Sequence, residues 1–145
     1  MSSQLNVDTI VDKAGSGGTN VKIANTSTYV SDAGAATQNT VQGLAKQWVS
    51  LDQTGTAAIN DSFNTASVTD NATADFNPNF ANNMNSANGY AVSLCCGDDG
   101  GRFHGDVVNK TAVTSSTYRT YWVNTTNASE NDNSIATSIV HGDLA

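Results

Sequence analysis

The sequence predicts an all-β fold: an antiparallel β-sandwich over residues 48–145, preceded by an extended N-terminal tether over 1–36 and a short neck helix over 37–47. Three observations predict it. From Trp48 onward apolar residues recur every second position, the period of a half-buried strand. Polar clusters rich in Asn, Asp, Ser, Thr and Gly separate these runs at turn-like spacing, which suggests six or seven strands. Immediately before them, Val41, Leu44, Ala45 and Trp48 fall at i, i+3, i+4 and i+7, a helical stripe.

Along the tether, SQLNVDTIVDK (3–13) sets Leu5, Val7, Thr9 and Val11 against Asn6, Asp8, Ile10 and Asp12. AGSGGTN (14–20) interrupts this short strand, and VKIAN (21–25) supplies a second extended piece with Val21 and Ile23. Such pieces bury too little to fold alone and need a partner surface or further copies. SDAGAATQN (31–39) reads as a hinge. In TQNTVQGLAKQW (37–48) Thr37 is a candidate N-cap, while Gly43 weakens the helix. About three turns are marginal alone. Three copies around an axis would bury Val41, Leu44 and Trp48.

In the β-domain, Ala57, Ile59 and Phe63 alternate with polar residues, DNAT (70–73) is turn chemistry, and Phe76, Pro78 and Phe80 share one face. Pro78 has no N–H, which predicts an edge strand or a bulge there. Tyr90, Val92, Leu94 and Cys96 point one way, Ala91, Ser93 and Cys95 the other. CGDDGG (96–101) is a glycine-rich turn expected to close a hairpin with RFHGDVVN. STYRTYWVN (116–124), a polar loop (124–133) and SIATSIVHG (134–142) complete the chain, with Ile135, Thr137 and Ile139 on one face.

Composition bounds the function. Asn, Ser and Thr make up 51 of 145 residues while charged residues are 13%, so neutral polar groups provide the solubility. Such a surface is common in extracellular and particle-bound proteins. Net charge is −7, and the six cations Lys13, Lys22, Lys46, Arg102, Lys110 and Arg119 form no patch able to neutralise several phosphates. No nucleic-acid partner is expected, and no attraction to an anionic membrane. No run approaches a membrane span, so membrane insertion is not expected. Residues 1–20 lack the apolar core of a signal peptide, which predicts a protein made in a cytoplasm and not exported by the usual route, so that lysis must release it if it works outside cells.

Cys95 and Cys96 are adjacent and too close for an unstrained disulfide. The alternation sends one to the core and the other to the surface, as reduced packing residues. His104 and His141 lack zinc-ligand spacing and an orienting group for nucleophilic catalysis. Asp98, Asp99 and Asp106 lack the spacing of a calcium loop, and GSGG (15–18) lacks the Gly-Lys-Ser/Thr ending of a phosphate loop. Trp48, Trp122, Tyr90, Tyr118 and Tyr121 sit mostly at strand positions, where core packing explains them. Tripeptides such as NTS, NDS and NAT match a glycosylation pattern by chance in so Asn-rich a chain. No metal, no cofactor and no enzymatic activity are expected.

LNVDTIVDKAGSGGTNV, GLAKQWVSLDQTGTAAINDSFNTASVTDNATADFNPNF and the ending DNSIATSIVHGDLA resemble a family of bacteriophage tail-fibre and virion structural proteins, frequent among phages of marine and aquatic bacteria. The chain departs from that pattern at Asn77-Pro78 and at Cys95-Cys96. The resemblance implies a particle-bound homotrimer. Leu5, Val7, Ile10, Val11, Val21 and Ile23 would anchor it to other virion proteins of tail or capsid, and Val41, Leu44 and Trp48 would form the neck. Loops carrying Asp98, Asp99, Arg102, Asn127 and Asn131 would face a host surface glycan or receptor. A capsid decoration protein is the alternative. A glycan depolymerase, which needs close carboxylates in a cleft, fits a single short β-domain less well.

Overall fold

The computed structural model describes residues 28–30, 37–40, 43–97, 103–108 and 112–145. The chain divides into two units, Met1–Val41 and Gln42–Ala145. In the first, β1 (Thr28–Val30) and β2 (Thr37–Asn39) pair antiparallel, Tyr29 opposite Gln38.

The second unit holds β3 (Ala45–Asp52), β4 (Ala58–Phe63), β5 (Thr65–Ala72), β6 (Asp75–Phe80), β7 (Tyr90–Gly97), β8 (Phe103–Val107), β9 (Thr120–Asn124) and β10 (Ile135–Gly142). They form two four-stranded antiparallel sheets, ordered β4-β3-β10-β7 and β5-β6-β9-β8. The all-β expectation therefore holds, with no α-helix among the described residues.

The neck helix is a correction. Thr37, the expected N-cap, lies in β2; Leu44 sits in a turn and is 63% exposed; Trp48 is in the middle of β3. Val41 lies outside the described residues. β3 pairs with β10 on one side and β4 on the other, which satisfies backbone groups that a short, Gly-containing helix would satisfy less securely. Its inward side chains are Gln47, Val49 and Leu51. A buried glutamine at the first inward position hides the two-residue period there.

β4 and β5 form one extended segment bent at Asn64, which passes from the first sheet to the second. Asn64 takes a left-handed φ of 55°, and its side chain holds the corner. Its Nδ2 donates to the Lys46 carbonyl at 2.9 Å, and its Oδ1 accepts from the Asn82 N–H at 2.7 Å. Asparagine tolerates this backbone region because its short amide bonds locally.

The expected β7–β8 hairpin is also corrected. β7 pairs along its length with β10, and β8 pairs with β9, so the two strands belong to different sheets. Alternation within a strand specifies its faces but not its partner. Pro78 lies in β6, an interior strand, where β6–β9 pairing stops after Phe76↔Thr120 and resumes only as the bridge Asn79↔Thr117 in unchanged register. The missing proline donor accounts for the opening, and Thr117 Oγ1 donates instead to the Pro78 carbonyl at 2.8 Å.

Between the sheets, Val49, Leu51, Ala74, Trp122 and Ala136 form one apolar cluster, with Leu94 and Cys96 packed against it. Phe80, Met84, Tyr118 and Val140 form the second. Full burial of each large apolar side chain contributes about 1.5–3 kcal/mol. The Phe80 ring packs 5.6 Å from both Tyr90 and Tyr118. Tyr118 OH ties the sheets together through bonds to Gln47 Oε1 and Ser138 Oγ. Burial pushes the Tyr118 phenol up, and pushes that of Tyr90 up to about 12.

Candidate functional site

Two outward faces carry the remaining chemistry. On the first sheet, pairing puts Phe63, Trp48, Ile139 and Ser93 in one row across β4, β3, β10 and β7. Phe63 is 53% exposed, Ile139 44% and Trp48 half-buried; Ile135, 52% exposed, shares the face farther along β10. Water thus meets four large apolar groups where an isolated sandwich would carry polar ones. Trp48 was expected to pack inward; it is a surface side chain of β3. The shared face of Ile135, Thr137 and Ile139 points outward, while Ala136, Ser138 and Val140 fill the interior. The neighbouring row holds Asp61, Ser50, Thr137 and the exposed Cys95. Cys96 packs inward, as the alternation predicts.

The second sheet's outward face is polar and bonded to itself. Asn79 Nδ2 donates to Ser67 Oγ and Thr69 Oγ1, both at 3.1 Å. Asn71 Nδ2 donates to Asp75 Oδ1 at 3.1 Å and to Asn77 Oδ1. Arg119 grips Asp75 with Nε and Nη2. The Arg119 hydrogen bond, more than the opposing burial, holds the Asp75 carboxyl below its ordinary range, and the same bond raises Arg119. Tyr121 lies between Asp75 on β6 and Asp106 on β8, and its OH donates to Glu130, a bond that raises the phenol. Tyr121 is the second aromatic that sequence placed in the core and structure places outside. In TYWVN two adjacent aromatics occupy opposite faces, and Trp122 takes the interior.

The loop candidates separate. Asn127 is exposed, and its Oδ1 accepts from the Ser129 N–H and hydroxyl at 3.1 and 2.7 Å. Asn131 Nδ2 donates to Ser129 Oγ at 3.0 Å. Both amides therefore shape their own loop, which returns to β9 through the bridge Val123↔Glu130. Asp98, Asp99 and Arg102 lie outside the described residues, as do the anchoring candidates Leu5, Val7, Ile10, Val11, Val21 and Ile23. His104 and His141 are exposed, and His104 Nε2 lies 3.1 Å from Asp106 Oδ1. Among the described residues no group of three or more His, Cys, Asp or Glu side chains is arranged to hold a metal ion, and no helix is long and apolar enough to cross a membrane.

No protein-family model matches the chain, and no curated protein or solved structure is significantly similar to it.

Proposed function

We propose that the protein is a bacteriophage virion structural protein: a short, trimeric, fibre-like component displayed on the particle for attachment to the host surface. The observation that carries this reading is the contrast between the two outward faces. The first sheet presents Trp48, Phe63, Ile135 and Ile139 to water, and the second presents amides and paired charges. A sandwich with one apolar and one polar exterior is suited to packing the first against copies of itself while the second remains wet. Three-fold packing of this kind needs no neck helix, because Trp48 reaches the partner from β3. The resemblance of the N-terminal segment to virion proteins supports a tether over residues 1–36 that docks on tail or capsid.

A capsid decoration protein is the alternative, and copy number separates the two. Quantitative mass spectrometry of purified particles against the major capsid protein should find a small number of copies, as for a fibre. A number close to that of the capsid subunits would transfer the protein to the head and remove host attachment from the account. Absence from washed particles would end both readings.

A further inference from the structure

We infer that the outward face of the second sheet, centred on Asn77, Arg119 and Tyr121, is a binding site for an uncharged, hydroxyl-rich ligand, a neutral saccharide. The inference deepens the attachment reading and rests on this face being the one left uncovered.

The geometry comes from the ladder. The register shared by the Phe76↔Thr120 pair and the Asn79↔Thr117 bridge puts Asn77 opposite Arg119, and Thr69 pairs with Asn77 from the other side. Tyr121 occupies the next outward position on β9. Neighbouring strands lie about 4.8 Å apart, and successive outward residues of one strand about 6.8 Å apart. These groups therefore lie side by side on one face of the sheet, over an area on the scale of a sugar ring or two.

Each amide or guanidinium here is held through one part of its side chain and retains bonding capacity at another. Asn77 Oδ1 accepts from Asn71, while its Nδ2 has no partner among the described residues. Asn79 Nδ2 is held by Ser67, Thr69 and the Asn77 carbonyl, while its Oδ1 accepts nothing among the described residues. Arg119 spends Nε and Nη2 on Asp75, and Nη1 has no partner among the described residues. Two donors and an acceptor thus face water from side chains that are already ordered, which lowers the entropy lost on binding. A hydroxyl both donates and accepts, so a polyol satisfies all three.

Charge selects within that class. Arg119 is matched by Asp75, and Glu130 and the side chain of Asp106, 70% exposed, stand beside the site in a chain of net charge −7. An anionic ligand would meet repulsion. A protein partner would have to cover bonded amides without the apolar centre that stable interfaces use.

The test is an array of neutral hexose and N-acetylhexosamine oligosaccharides, with sialylated and sulfated ones for comparison, probed with the full chain. The expected result is binding confined to neutral saccharides. Asn77→Ala and Asn79→Ala should each weaken it about tenfold, the cost of one good hydrogen bond, while Asn88→Ala, in the exposed turn before β7, leaves it unchanged. Thermal melting and solution mass establish that each variant is folded and assembled. A silent array, a preference for charged glycans, or full binding by folded Asn77→Ala and Asn79→Ala would overturn the inference. None of these outcomes touches copy number on the particle, by which the virion reading stands or falls.

Discussion

Gly105→Ala is expected to destabilise the β-domain by about 2–3 kcal/mol, the cost of overpacking a filled interior. Gly105 of β8 pairs with Trp122 of β9, and the indole lies flat across the glycine. A Cβ built there falls 2.6 Å from Trp122 Cε3 and closer still to Cζ3. The ring has little room to retreat, because it is 2% exposed and packs among Val49, Leu51, Ala74 and Ala136. Urea unfolding checks the result: the midpoint should fall while the slope is unchanged. Trimming the ring in Gly105→Ala/Trp122→Leu should make the two changes cost less than their separate sum. Strict additivity would show that the indole does not occupy the glycine's space.

Tyr118→Phe should cost about 1–3 kcal/mol by leaving buried polar groups without their partner. The phenol is fully buried and joins Gln47 Oε1 of β3 at 2.9 Å to Ser138 Oγ of β10. Removing one oxygen leaves the ring contacts with Phe80 and Tyr90 in place, so packing is nearly conserved. Gln47 Nε2 keeps its 2.7 Å bond to Thr65 Oγ1, so the amide stays in place and Oε1 is the atom left without its donor. Adding Ser138→Ala to Tyr118→Phe should recover part of the cost, since a buried hydroxyl without a partner is then absent. An unchanged urea midpoint for Tyr118→Phe would contradict a dry, bonded network at this point.

Much of the β-domain is legible in the sequence because a half-buried strand writes its period directly. Tyr90, Val92, Leu94 and Cys96 are read as one face and line the interior side of β7; Phe76, Pro78 and Phe80 do the same for β6. The start of β3 is not legible, because its first inward residue is Gln47, whose amide is satisfied only by Thr65 and by Tyr118, 71 residues away. Strand partners are hidden for the same reason: β7 joins β10 through contacts that no local pattern encodes. The exposed row is hidden differently. Period two cannot say which face is inside when both carry apolar groups, as Trp48 alternates with Val49 and Ile139 with Val140. The polar site was missed because its parts read as ordinary surface asparagines, and only sheet pairing gathers Thr69, Asn77 and Arg119 into one row.

The measurement that bears most directly on the central claim is the solution mass of the full chain by light scattering, beside that of Phe63→Asp. Phe63 is 53% exposed in the single chain, so the substitution spares the interior while placing a charge in the apolar row. The wild-type chain should show about three times its 15.0 kDa mass. Phe63→Asp should show the mass of one folded chain. A wild-type protein that is monomeric at micromolar concentration, or an assembly that Phe63→Asp leaves intact, would contradict a trimer built on the first sheet.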